Sequence, residues 1–338
     1  MKKPLLNCSM EQLNSSSAFA LFRLSPMLNL PIYLLAAMFI GTSRSKMVRA
    51  VRWQYIRQIV VNYVFIVIVA VAVCPVLVPP IPGYFVMGVL AHFQVNVALP
   101  MVLMTLSAIS VAFTILQLAK HQVKILSDLR FTRKFELAVK IVLRLFHGSY
   151  LLMIITSISI LPVLTIQNEL DSFRNACFDY FHNPRVLCPQ MFVADPRHWK
   201  ILVTYSTTLL FGAYCSVTGL SSVVTCLLMI YESRHMVSKE TLIMQRNFSA
   251  ALIYQALVYV TFIIVPVGII SSLFYMQVPL PENGVHLLLM VCAQGGVNNL
   301  MHIVPRVWKW CRSKAKKSGS VPRNKVKMWS TTGSIIVT

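Results

Sequence analysis

The sequence predicts an all-α membrane protein, a bundle of seven transmembrane helices with its N-terminus outside and its C-terminus in the cytoplasm. Three observations carry that fold class. Of 338 residues, 57% are hydrophobic and only 12% are charged, about half the charged share with which a soluble domain keeps its surface wet. Seven apolar stretches are each long enough to cross about 30 Å of hydrocarbon. The Lys and Arg residues lie between these stretches in clusters that fall mostly on one side.

The stretches run roughly from Ala18 to Gly41, Ile59 to Val78, Phe85 to Ala119, Leu145 to Ile166, Ile201 to Tyr231, Phe248 to Tyr275 and Val285 to Val304. Charges and Pro/Gly clusters set their ends. Between the second and third stand only Pro79, Pro80, Ile81, Pro82 and Gly83, a helix stop with room for a tight turn. With the N-terminus outside, the cytoplasmic segments are 42–58, 120–144, 232–247 and 305–338, carrying 5, 7, 3 and 9 basic residues, 24 of the chain's 31. Lys and Arg near span ends stay cytoplasmic, so this orientation follows. The chain divides into an extracellular leader (1–17), a seven-span domain (18–304) and a basic tail (305–338) that lies near an anionic leaflet or is simply solvated. The leader has no separate apolar core with a cleavage site, which makes the first span an uncleaved signal anchor. Asn7-Cys8-Ser9 and Asn14-Ser15-Ser16 are N-x-S glycosylation sequons on the outer side, with Asn7 and Asn14 as acceptors; Asn247-Phe248-Ser249 is a third on the inner side.

Several function classes lose support. The basic residues form short clusters between spans rather than one patch, a membrane pattern and not a nucleic-acid one. The eight Cys show no C-x-x-C pair and no zinc-type spacing with His, so no metal or other cofactor is expected. Ion-coupled transporters and pumps place ionisable groups inside the bilayer, yet no Asp or Glu stands mid-span and the last span has no Lys for a retinal. The eight His have no acid partner at helical spacing within a span, which argues against an intramembrane hydrolase. A seven-span ligand-gated channel or a small-solute transporter remains the alternative; the first calls for an inverted N-terminus and the second for repeats.

The polar residues that do occur in the spans are patterned. His92, Asn96, Ser107, Ser110, Thr114, Gln117 and His121 keep to one face of a helical third span, and the fifth carries Thr204, Thr207, Thr208, Cys215, Thr218, Ser222 and Thr225. Small hydroxyls of this kind bond across helices or back to the backbone. At the outer ends, His92, Asn96, Tyr205, Tyr275 and His286 stand among apolar neighbours. A few polar groups in an apolar wall suit a small, mostly apolar or amphipathic ligand. Headgroup water or neighbouring helices would satisfy the same groups in a purely structural role. Cys177 and Cys188 sit in the outer loop 167–200, where an oxidising environment favours a disulfide bracing a lid; two thiols are the alternative.

The chain lacks Asp-Arg-Tyr after the third span and Asn-Pro-x-x-Tyr in the seventh. It has Ser25-Pro26, Lys46-Met47 followed by Val51-Arg52-Trp53, Lys120-His121-Gln122, Gln255 with Pro266 eleven residues on, and Gln294-Gly295 followed by His302 and Pro305-Arg306. In these it resembles the nematode seven-transmembrane chemoreceptor superfamily, most closely its class H and class I group, from about Ser25 to Arg306. The resemblance implies a G-protein-coupled chemosensory receptor in the ciliary membrane of sensory neurons. In seven-span receptors the inner end of the third span meets the G protein, which places Lys120, His121, Lys124, Arg130 and Arg133 at that contact.

Overall fold

The computed structural model describes residues 17–42, 46–77, 81, 83–93, 96–127, 135–182, 184–188, 191–193, 198–233, 238–275 and 284–317. Asn7, Asn14, Arg130 and Arg133 lie outside them, and of Tyr275 only the backbone is described. Nine helices occur among the described residues: α1 (Ser17–Gly41), α2 (Lys46–Val67), α3 (Leu99–Ser127), α4 (Glu136–Ile160), α5 (Leu170–Phe181), α6 (Trp199–Ser233), α7 (Lys239–Tyr259), α8 (Val265–Tyr275) and α9 (Gly284–Lys317). Seven segments are long and apolar enough to span a membrane: Phe19–Gly41, Val51–Val73, Leu99–Ser127, Glu136–Ile166, Trp199–Glu232, Gln245–Ile270 and Val285–Val304. The predicted seven-span bundle is therefore present, with α7 and α8 sharing the sixth span.

The helices close a ring. α1 packs on α2 and α9, α4 on α6, α6 on α7, and both α7 and α8 on α9, while α3 touches α2, α4, α6 and α7 and so occupies the centre. On α1, Leu21, Leu24, Leu28, Leu34 and Leu35 face outward, whereas Phe22, Tyr33, Ala36 and Ile40 are buried. An outward leucine row beside a buried row is the arrangement lipid requires, because the backbone is satisfied within the helix and the outer side chains meet hydrocarbon.

Proline shapes the spans. Pro26 and Pro31 lie inside α1, and Pro100 occupies the first turn of α3, where its missing N–H costs nothing. The sixth span widens into a π turn at Val260–Ile264, one residue short of Pro266, a common way to absorb a lost backbone hydrogen bond. α2 likewise runs into a π turn at Ile68–Val73. It ends at Cys74, whose left-handed φ of 46° turns the chain away.

That turn opens a structure which periodicity did not reveal. Pro75–Leu77 (β1), Gly83–Val86 (β2) and Met191–Val193 (β3) form an antiparallel sheet in the order β1-β2-β3, with Val76 opposite Phe85 and Tyr84 opposite Phe192. The third span accordingly begins at Leu99, not Phe85. Phe85 and Val86 read as the start of an apolar helix after a turn ending at Gly83, but Gly83 lies so close to β3 that a Cβ would collide with the Phe192 carbonyl. The strand pairing is a long-range interaction invisible to a local window. At the opposite end, α9 continues past Val304 through Pro305 to Lys317, so the tail begins as helix.

The α4–α6 interface is lined with hydroxyls. Ser149 Oγ lies 3.1 Å from Thr218 Oγ1 and Ser159 Oγ 2.7 Å from Thr207 Oγ1; Thr204 Oγ1 donates to the Ser159 carbonyl at 2.8 Å. Most also reach a carbonyl one turn back on their own helix. In the third span, by contrast, the predicted single polar face does not hold. Ser110 points outward and donates to the Leu106 carbonyl at 2.8 Å, because a hydroxyl satisfied by its own backbone can face hydrocarbon.

Candidate functional site

The two ends of the bundle differ in chemistry. The end holding the sheet is a cap braced by cations. Arg174 of α5 is 9% exposed, and its Nη2 donates to the Met191 carbonyl of β3 at 2.8 Å while its Nη1 lies 3.4 Å from Asp171 Oδ1. Burial lowers the Arg174 pKa, and Asp171 opposes that shift. On α1, Arg23 Nη2 donates to the Met87 carbonyl just after β2 at 2.7 Å. Glu169 Oε1 lies 3.1 Å from Lys200 Nζ and its Oε2 lies 2.7 Å from His198 Nε2. The hydrogen bond from Lys200, then the charges of Lys200 and His198, hold the Glu169 carboxyl below its usual range. Tyr84 and Phe192 pack their rings 5.4 Å apart beneath this shell.

The polar groups predicted to line a ligand site at this end are not drawn together. His92 is exposed on a 3-10 turn, Val89–Phe93, that precedes α3. Tyr205 on α6 and His286 at the start of α9 are also outward-facing. Asn96 is half-buried with its amide already engaged: Nδ2 donates to the Leu164 carbonyl at 2.7 Å and Oδ1 accepts from the Ala98 N–H at 2.9 Å. It caps the entry to α3 and ties that entry to the 3-10 segment Leu161–Asn168. The helical spacing from His92 to Asn96 does not apply, since neither lies in α3.

The expected bridge within the outer loop is corrected. Cys188 is in a disulfide, but Cys177 keeps its thiol and is not the partner. Cys177 sits on helix α5 while Cys188 lies past the 3-10 turn Pro184–Leu187. Ten intervening residues say nothing about which way a helical residue points.

At the other end, cations stack on aromatic rings. Lys120 Nζ lies 4.7 Å from the Tyr150 ring centroid and the Arg57 guanidinium 5.1 Å from that of Phe113, while His121 is half-buried and Lys124 exposed. Between them Gln122, 2% exposed, donates from Nε2 to Ser249 Oγ of α7 at 2.6 Å. This joint between the third and sixth spans escaped sequence reasoning. Ser249 stood out only as the third residue of a sequon, and a lone Gln between His121 and Val123 read as the end of a span.

Searches among curated proteins and among solved structures returned no match. The sequence model of the family described as serpentine type 7TM GPCR chemoreceptor Srh matches residues 17–304, a stretch that begins with α1 and ends with the seventh span. With seven spans in place and most of the chain matched, this multi-pass membrane protein belongs to the Srh family of serpentine seven-transmembrane chemoreceptors.

Proposed function

We propose that the chain is a chemosensory receptor that takes a small external ligand at the sheet end of the bundle and signals through a heterotrimeric G protein at the basic end. The observation that carries this reading is the polarity of the two ends. One is covered by a braced sheet; the other is flanked by segments holding 24 of 31 basic residues, the side that the positive-inside tendency keeps in the cytoplasm. Membership of a chemoreceptor family supports it. The leader would then be extracellular, with Asn7 and Asn14 open to glycosylation, and the ciliary membrane of a sensory neuron is the expected location.

In this reading His92, Asn96, Tyr205, Tyr275 and His286 are the polar groups nearest the ligand. Asn96 shapes the entry to α3, and His92, Tyr205 and His286, which face outward, would meet the ligand at the surface of that end. Lys120, His121, Lys124, Arg130 and Arg133 present positive charge to the G protein. The test begins with tags before Lys2 and after Thr338: only the first is to be accessible on intact cells, and a protected N-terminal tag sinks the proposal. A screen of small volatile and water-soluble compounds follows. Dose-response curves normalised to surface protein then compare the wild type with His286→Ala and with Lys124→Glu/Arg130→Glu/Arg133→Glu. The first variant is expected to lose five- to hundredfold in potency, as removal of a desolvated hydrogen bond does, and the triple variant to lose signalling at unchanged surface abundance.

A further inference from the structure

The α1, α2 and α9 helices meet around a set of buried amides that no protein group satisfies. Asn62 of α2 is 0% exposed, and neither its Nδ2 nor its Oδ1 has a hydrogen-bond partner. The Tyr33 hydroxyl of α1 is likewise buried without one. Both border Gly295 of α9: a Cβ placed there would run into the Tyr33 hydroxyl and touch the Asn62 side chain. One residue on, Gly296 faces the Asn29 side-chain oxygen in the same way. Asn298 and Asn299 stand three and four residues beyond Gly295, on the same face of α9. Asn298 Oδ1 and Asn299 Nδ2 are also buried and unpartnered.

These residues sit near the middle of their spans, where unsatisfied polar groups are most costly. Glycine at 295 and 296 brings α9 close to α1 just where amides crowd the interface. A dry core would use such close packing to pair its polar groups directly, as the α4–α6 hydroxyls do. Here donors and acceptors of both kinds remain unmatched: Asn62 offers two N–H donors and a carbonyl, Tyr33 can give or take, Asn298 presents an acceptor and Asn299 a donor. None of α1, α2 and α9 contains an Asp or Glu, so a cation would find no counter-charge, and donors and acceptors in similar number favour a ligand that both gives and takes hydrogen bonds. Water does so, and a buried water typically makes about three such bonds.

We infer that the junction of Tyr33, Asn62 and Gly295 is a binding site for ordered internal water, extended along α9 by Asn298 and Asn299. The site holds α1, α2 and α9 together through bonds that can be remade when the helices shift, unlike the direct hydroxyl contacts elsewhere. It needs no ligand and stands apart from the assignment of a signalling role.

X-ray footprinting of the full chain in lipid nanodiscs tests it, because hydroxyl radicals generated from water label side chains next to bound water even when they are buried. Tyr33, 3% exposed, is expected to label at least fivefold faster than Phe22 and Phe146, which are 0% exposed in the hydrophobic core. Asn62→Leu, which fills the same volume with apolar surface, is expected to slow Tyr33 labelling at least threefold. Tyr33 labelling as slow as Phe146 in the wild type overturns the inference whether or not the variant folds. Undiminished Tyr33 labelling in a folded Asn62→Leu protein overturns the assignment of Asn62 to the site.

Discussion

Two polar interfaces run through the bundle and solve the same problem in opposite ways. Between α4 and α6 the groups are Ser and Thr, and each hydroxyl finds a partner: Ser149 with Thr218, Ser159 with Thr207, Thr204 with the Ser159 carbonyl. Between α1, α2 and α9 the groups are amides and a phenol, and Asn62, Tyr33, Asn298 and Asn299 retain unpartnered atoms. The difference lies in side-chain length. A Ser or Thr hydroxyl reaches back to the carbonyl one turn earlier, so it is satisfied before it meets a neighbouring helix and contributes packing glue. An Asn amide has more bonding capacity than its own helix can fill, so it must find a partner across the interface or in water. Hydroxyl interfaces are thus self-sufficient, and amide interfaces depend on what surrounds them.

The largest effect that separates the two regions is expected at Gly295. Gly295→Val drives a branched side chain into the Tyr33 hydroxyl, and overpacking of this kind costs about 1–3 kcal/mol. Surface abundance of a tagged receptor is to fall several-fold, whereas Gly219→Val on α6, where a Cβ meets open space, is to leave it unchanged. Equal loss in both would show that glycine serves helix flexibility rather than close approach.

An intermediate effect belongs to Gln122, an amide that does have a protein partner. Gln122→Leu removes the bond to Ser249 between α3 and α7, and interhelical bonds in membranes contribute about 0.6 to 1.7 kcal/mol, roughly a three- to eighteenfold shift in a two-state equilibrium. Ligand-independent G-protein activation per surface receptor is expected to rise. An unchanged baseline would mark the bond as packing.

A smaller effect is expected within the hydroxyl interface. A double-mutant cycle on Ser149→Ala and Thr218→Val is to give a coupling of about 0.6 kcal/mol, read from melting of the purified protein, because each hydroxyl has one proton, and the one donated across the interface is withdrawn from a carbonyl on its own helix. A coupling above about 2 kcal/mol would abolish the contrast between the interfaces.

The smallest effect concerns the cap. Glu169 is held below its usual pKa by Lys200 and His198, so its folded value is lower than its unfolded one. Its stabilisation is present above about pH 4.3 and is lost as pH falls through the folded value. The melting temperature of the wild type is to drop more between about pH 5 and pH 3 than that of Glu169→Gln. Parallel drops would assign the acid sensitivity to other carboxylates.

Some of this organisation was legible in the chain and some was not, and the border follows interaction range. The Thr-rich face of α6 was readable because a 3.6-residue period places Thr204, Thr207, Thr218, Ser222 and Thr225 by local geometry alone. The sheet was not: β2 and β3 are more than a hundred residues apart, and Tyr84-Phe85-Val86 looks like the entry to an apolar helix until Met191–Val193 pairs with it. Asn96 was singled out for its polarity, yet a carbonyl at Leu164 takes up its amide. The Gln122 joint and the amide junction share that character, each needing partners from distant spans.

Composition and charge alone were enough for the membrane class, the number of spans and the expected orientation, because partition between water and hydrocarbon acts on each segment independently. Tertiary structure decided what those spans meet: which loop folds into a sheet, that Cys177 is not the partner of Cys188, and which buried polar groups find a protein partner. Hydrogen bonds are short and directional, so their pairing depends on where distant segments come to rest, and no local reading of the chain contains that information.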